Sequence, residues 1–342
     1  MKQKQVENRK IRSLDVSPIG MGCMGLSHGY GHIPEEAYSI EAIRRAHDFG
    51  CTFYDTAEAY GPNLKEPGHN EKIVGKAVKG FRKDVVLATK LFIPSDELKE
   101  HTLYDVIKGH LTGSLARLQT DYADLYYLHR LNPEVPVEDV AEVMGRLIRE
   151  GLIREWGLSQ VDTDTIARAN AVTPLAAAQN IYNMLERDCE AEVFPYCMEH
   201  GITVVPFSPI ASGFLSGKIT VDTQFETVDD VRNVVPQLTK QNIAANMPIV
   251  DVLNEFAKRS DATPAQISLA WMLHKYPNVV PIPGSKNQER ILENLGAWNV
   301  KLDDASFAAL EQALDACEVH GHRGYVEATT GQPEVRKKWG EE

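Results

Sequence analysis

The chain has 342 residues, 43% hydrophobic and 25% charged, ordinary values for a globular protein with room for one large α/β domain or two modest ones. Its formal net charge of −12 argues against nucleic acid or an anionic membrane as a general partner, so an anionic ligand would need a local basic site. No apolar run approaches a bilayer span, the start MKQKQVENRKIRSL holds no apolar signal region, and five scattered cysteines without a C-x-x-C pair suit a reducing compartment, so a cytoplasmic location is expected.

Residues 4–16, KQVENRKIRSLDV, predict a hairpin able to close the floor of a barrel, and SPIGMGCM follows as the first strand-like run. Gly20, Gly22 and Gly25 match G-x-G-x-x-G. That dinucleotide turn works only when the glycines open a helix directly. Here two more glycines intervene, and the helical pattern waits until about Pro34, with Glu35 and Glu36 in its first turn. The glycines therefore read as a strand end where a backbone or a ligand approaches closely. Further short β-rich runs follow at 52–57 (TFYDTA), 85–90 (VVLATK), 124–129 (DLYYLH), 154–160 (REWGLSQ), 175–183 (LAAAQNIYN), 202–209 (ITVVPFSP) and 279–285 (VVPIPGS). Amphipathic stretches lie between and after them, at 34–50, 70–80, 102–119, 137–151, 162–171, 188–201, 248–259, 264–277 and 303–317.

Strands alternating with helices imply a parallel sheet. Eight such units predict an α/β fold of the (β/α)8 TIM-barrel type, with an N-terminal hairpin and a C-terminal tail. One domain is expected over 1–342, with the barrel at about 11–315 and the tail at 318–342. An open doubly wound sheet is the alternative, and the strand count and the failed fingerprint weigh against it.

In such barrels chemistry collects where the strands stop. The runs end on Asp55, Lys90, His129, Ser159 with Gln160, Gln179 with Asn180, Phe207 with Ser208, and Gly284 with Ser285. Tyr60 lies just beyond Asp55. A buried Lys90 needs a counter-charge, which Asp55 can supply. A nearby ammonium should lower the pKa of the Tyr60 phenol, and His129 can donate a hydrogen bond to a carbonyl oxygen. Together they would form a phenolic acid and an oxyanion site, which carbonyl reduction by hydride requires. Taken singly, each residue has a plainer reading: a structural ion pair, a hydrogen-bonded core histidine, a helix-end aromatic.

The segments FYDTAEAYG, LATK, LYYLHR, GLSQ, QNIYN, PFSPIASGFLSGK and IPGSKNQERILENLGA resemble the aldo-keto reductase family. The resemblance implies a (β/α)8 barrel that uses NAD(P)H without a Rossmann fold. It also implies reduction of aldehydes and ketones by a tetrad, here Asp55, Tyr60, Lys90 and His129. Gly22, Cys23, Met24 and Asp55 would then border the nicotinamide. Ser159, Gln160 and Gln179 would hold its carboxamide, with Gln160 where the family usually has Asn. Phe207 would stack on the ring, where Tyr is frequent. Ser208, Pro209, Ile210, Gly213, Leu215 and Lys218 would wrap the pyrophosphate, with Ile210 in place of the commoner Leu. Ser285 and Arg290 would meet the adenosine 2′-phosphate. Gly284 stands where many relatives carry Lys, a loss Lys286 would offset. Glu293 and Asn294 would meet the adenine.

NADPH (NADP+) is accordingly expected over NADH, because guanidinium pairs well with phosphate. The expected partner is a small-molecule carbonyl substrate, with no nucleic acid and no membrane, for a monomer or homo-oligomer. No metal is expected: H-E-x-x-H is absent, and HGHR at 320–323 offers only two histidines. The alternative is an NADPH-binding regulatory protein resembling a channel β-subunit, with slow turnover, which the intact tetrad disfavours. Met24, Tyr30, Phe92, Arg130 and the tail after Cys317 are candidate pocket walls, and 220–240 a candidate flap.

Overall fold

The computed structural model describes residues 7–62, 66–226 and 228–323. It opens with an antiparallel hairpin of β1 (Arg9–Ile11) and β2 (Leu14–Val16), in the register Arg9↔Val16. Seven parallel strands follow in chain order: β3 (Met21–Gly22), β4 (Phe53–Asp55), β5 (Val86–Leu91), β6 (Ala123–Leu128), β7 (Ile153–Ser159), β8 (Ala177–Gln179) and β9 (Thr203–Val204). Both faces of these strands are covered, so they read as continuous apolar runs rather than as alternation.

Ten α-helices accompany them among the described residues: α1 (Glu36–Phe49), α2 (His69–Val78), α3 (Leu103–Leu118), α4 (Val137–Arg149), α5 (Thr163–Val172), α6 (Val193–Glu199), α7 (Lys240–Arg259), α8 (Pro264–Lys275), α9 (Gln288–Leu295) and α10 (Asp304–Asp315). Local chemistry sets many of the starts. Thr102, Asp162, Thr239, Thr263, Asn287 and Asp303 each accept a hydrogen bond from a first-turn backbone N–H, and Thr263 completes a capping box with Gln266. In α4, Val137, Val140, Ala141, Met144 and Leu147 form the buried stripe that holds the helix to the sheet.

Inside the barrel, Phe53, Val86, Leu125, Tyr127 and Val205 pack with Ile11, Leu14 and Val16 of the hairpin, so the hairpin plugs the floor as expected. The Arg9 guanidinium ties it down by donating to the carbonyls of Leu273, Tyr276 and Val279 at 2.5–2.9 Å.

The eighth run differs from the expectation. Residues 279–284 close the barrel without forming a regular strand, making single parallel bridges, Val204↔Val279 and Gly22↔Gly284. Val280 and Ile282 donate N–H bonds to Val204 and Pro206, while the carbonyls of Pro281 and Pro283 accept from Gly20 and Gly22 at 2.9 and 3.2 Å. The residues facing β3 are prolines, which have no N–H, so that ladder is half made.

The glycine fingerprint is explained by the same closure. β3 leads into one tight helical turn, Met24–Leu26, and α1 begins only at Glu36. A Cβ on Gly22 would lie 2.7 Å from the Ile282 carbonyl, so glycine lets the first and last walls of the barrel meet. Two helical assignments also change. α7 starts at Lys240 under the Thr239 cap and carries Pro248 in its interior, whereas the sequence pattern begins at that proline. The stretch 188–201 splits into a short turn, Asp188–Glu190, and α6. The tail expected at 318–342 lies outside the described residues from 324 onward.

Candidate active site

Strand ends gather the polar residues. Asp55 closes β4, Lys90 is one residue from the end of β5, and His129 directly follows β6. The Lys90 side chain is fully buried. Its Nζ lies 2.5 Å from Asp55 Oδ1, 2.7 Å from the Thr56 carbonyl and 3.4 Å from the Tyr60 hydroxyl. The second Asp55 oxygen accepts from Gln179 Nε2 at 2.8 Å. The Tyr60 ring meets His129 edge-on, with centroids 5.7 Å apart at 83°. Four residues from three separate stretches of the chain thus share one site.

Their protonation states follow from burial and pairing. Burial works against the Lys90 charge, but Asp55 and Tyr60 outweigh it and hold the ammonium's pKa above its usual value. Burial raises the Asp55 carboxyl more than Lys90 lowers it. The Tyr60 phenol is likewise held above its usual value. Here the expectation of a lowered value is corrected: the ammonium does pull downward, yet burial outweighs it, aided by Asp55. Tyr60 is therefore a protonated donor at neutral pH. Burial, with Arg130 and Lys90, pushes His129 well below the ordinary histidine range, so its imidazole is neutral. His129 Nδ1 is buried without a hydrogen-bond partner among the described residues. An unpaired lone pair there costs less than an unpaired N–H, which favours the tautomer with the proton on Nε2.

Around this group lie the residues expected at the cofactor. Cys23 is buried and its N–H donates to the Asp55 carbonyl at 2.8 Å; Met24 is half-buried beside it. Ser159 Oγ accepts from Arg130 Nη1 at 2.9 Å, so Arg130 braces Ser159 and also reaches the His129 carbonyl. Gln160 has a left-handed backbone, φ 55°, and its side-chain oxygen takes the Ile181 N–H at 3.0 Å. Phe207 is half-buried and forms a parallel bridge with Ile181.

The segment after Phe207 is bent hard. Ser208, Ala211, Ser212 and Gly213 have φ of 53°, 48°, 53° and 97°. Strain of this kind at residues other than glycine is typical of ligand clamps. Asn183 Nδ2 and Ser268 Oγ hold the carbonyls of Ser208 and Pro209. Ile210 is half-buried, Leu215 is buried, and Lys218 pairs with Glu293 at 3.4 Å. At the far end Ser285 is half-buried, Gly284 and Arg290 are exposed, and Asn287 caps the start of α9. Asn294 is buried, and Glu293 also accepts from Thr263. The strained loop, the helix start and the cations bring together chemistry that fits a phosphate-bearing dinucleotide.

Lys286 is used differently from the other cations. Its ammonium donates to the carbonyls of Tyr30 and His32, both at 2.7 Å, and pairs with Glu226 at 3.2 Å. The Gly31 and Val231 N–H groups donate to the Asp229 and Gly29 carbonyls, while the Asp229 carboxylate accepts from Gly29 N at 3.0 Å and lies 3.2 Å from His28 Nδ1. Lys286 thus latches the loop after β3 to part of the 220–240 segment. Sequence reasoning also missed Asn70. Fully buried at the start of α2, it accepts from Thr56 and donates to Cys23 O and Ser27 Oγ at 2.6–2.9 Å. The only signal was a polar pair, Asn70-Glu71, opening an apolar helix. A cleft of about 390 Å³ lined by Tyr104, Arg146, Arg149 and Thr173 sits among the outer helices and shares no residue with this site.

The Aldo/keto reductase family model matches residues 18–315. The chain belongs to the aldo-keto reductase family. It is 36% identical over 331 residues to probable aldo-keto reductase 1 of Glycine max, covering 95% of this chain and 94% of that protein. It is 37% identical over 327 residues to aldo-keto reductase yakc [NADP(+)] of Schizosaccharomyces pombe, covering 93% and 94%. Among solved structures, an aldo-keto reductase from Klebsiella pneumoniae in complex with NADPH matches with a TM-score of 0.69 and 27% identity, over 90% of this chain and 95% of that one. This reductase is therefore an oxidoreductase of the carbonyl–alcohol class.

Proposed function

We propose that this reductase converts aldehydes or ketones to alcohols with NADPH, using Asp55, Tyr60, Lys90 and His129. The observation that carries the reading is the buried Lys90 ammonium between the Asp55 carboxylate and the Tyr60 hydroxyl. NADPH, when bound, would supply hydride to the carbonyl carbon. Tyr60 gives its proton to the carbonyl oxygen. Lys90, held by Asp55, stabilises the tyrosinate left behind, and neutral His129 donates a hydrogen bond to the same oxygen. The named S. pombe relative and the NADPH complex from K. pneumoniae support the choice of cofactor. Ser159, Gln160, Gln179 and Phe207 would hold its nicotinamide end. The strained 208–213 turn would take the pyrophosphate and Arg290 with Ser285 the 2′-phosphate.

The test is oxidation of NADPH labelled with deuterium at the transferable position, against a panel of aldehydes and ketones. Deuterium is expected on the carbinol carbon of the product alcohol. Cofactor that stays reduced with every carbonyl, or alcohol without label, would overturn the reading.

A further inference from the structure

Glu58 stands between Asp55 and Tyr60 on the loop leaving β4, and the proton-transfer scheme has no use for it. It is only 9% exposed. Its Oε1 accepts the Phe92 N–H at 3.1 Å and its Oε2 lies 2.8 Å from His110 Nδ1. Its own N–H donates to the Lys90 carbonyl at 3.2 Å, and its carbonyl accepts from Gly68. One residue therefore stitches the Tyr60 loop to the exit of β5 on both sides of Leu91. The Phe92 ring in turn stacks on the His129 imidazole, with centroids 4.5 Å apart at 21°. His129 Nδ1 makes no hydrogen bond among the described residues, so the ring's aim depends on the aromatic faces packed against it.

A buried carboxylate needs a balancing charge. His110, on α3, is the nearest candidate. Its other nitrogen faces Glu97 at 3.2 Å. Arg117 is 4.0 Å from Glu58 but is committed to Glu71 at 2.5 Å, and the buried Tyr126 hydroxyl feels both acids. We propose that Glu58 and His110 form a positioning pair in which Glu58 clamps Phe92, Phe92 sets the His129 ring against Tyr60, and protonated His110 holds the Glu58 side chain in place. The pair acts only if Tyr60 and His129 flank the carbonyl as described above.

The pair also has a pH signature. Its hydrogen bond to Glu58 holds His110 above its ordinary value of 6.5, with Glu97 adding to the effect. The charged pair is thus present below pH 6.5 and is lost as pH rises through that raised value. Turnover should carry a descending limb there which His110→Gln lacks.

The experiment is steady-state carbonyl reduction as a function of pH for wild type, Glu58→Gln, Phe92→Leu, His110→Gln and Tyr60→Phe, with NADPH affinity and melting temperature measured on the same samples. Phe92→Leu leaves Glu58 and the backbone N–H in place and removes only the ring on His129, so it serves if Glu58→Gln does not fold. Glu58→Gln and Phe92→Leu are each expected to lower kcat by about tenfold or more, with NADPH affinity changed by less than about twofold, because misplacement of a reacting group acts on kcat. Undiminished kcat in both, beside an inactive Tyr60→Phe, would overturn the pair alone. A loss of kcat that merely tracks the loss of folded protein, with the wild-type pH profile retained in His110→Gln, would overturn it too. An active Tyr60→Phe would overturn the proton-transfer reading and the pair with it.

Discussion

His129 shows how enclosure sets chemistry at a single residue. Burial and two neighbouring cations keep its imidazole neutral. A histidine whose folded pKa lies below its unfolded value of 6.5 contributes stability at higher pH and loses it as pH falls through the folded value. Wild type should therefore lose more melting temperature than His129→Gln between neutral pH and about 5, and equal losses would contradict the buried neutral state. In the proposed reading Arg290 carries the cofactor choice. Arg290→Ala should weaken NADPH binding by about tenfold while leaving NADH nearly unchanged, because a charge-assisted bond to the 2′-phosphate is lost. Unchanged preference in a binding titration would remove Arg290 from that role. Asp55, Lys90 and His129 were legible in the sequence because each is a polar residue ending an apolar run. Glu58 was not: a carboxylate two residues before a tyrosine reads as a solvated loop group. The latch at Lys286 was hidden for a related reason, since its Glu226 partner is 60 residues away and nothing local announces it.

The β-rich runs marked the strands well because both faces of a parallel sheet are buried, so composition carries the signal. Their lengths were less legible. The run at 279–284 has a strand's hydrophobicity, but Pro281 and Pro283 can only accept on the side facing β3, which leaves a half-made ladder. The start of α7 was hidden by Pro248, which reads as a beginning and is an interior residue. β7 offers a direct test of how tightly the wall is packed. A Cβ on Gly157 would lie 2.6 Å from both the Ala177 carbonyl and the Tyr127 ring. Gly157→Ala should destabilise the barrel by about 1–3 kcal/mol, the usual cost of overpacking. Denaturant unfolding would read the change as a lower midpoint, and an unshifted midpoint would mean the wall yields more easily than its geometry implies.

For the whole molecule, the rhythm of eight units predicted a barrel, and the closed parallel wall with its hairpin floor is what folding produces. Closure is also what makes the site. It brings β3 against the run before Ser285, so the proposed nicotinamide and phosphate ends share one rim. Which carbonyl enters is less legible, because the walls are expected from loops, and the conformation of the loop after β3 depends on distant partners such as Asp229 and Lys286. Despite a net charge of −12, Lys218 and Arg290 stand where the proposed phosphates would lie. Tyr60 as the proton donor is the central proposal, and its most direct test is kcat for carbonyl reduction by Tyr60→Phe with NADPH affinity measured on the same protein. A fall of about 10²–10⁴-fold in kcat with intact NADPH binding is the predicted result, the range for losing a general acid. Turnover close to that of wild type would contradict it.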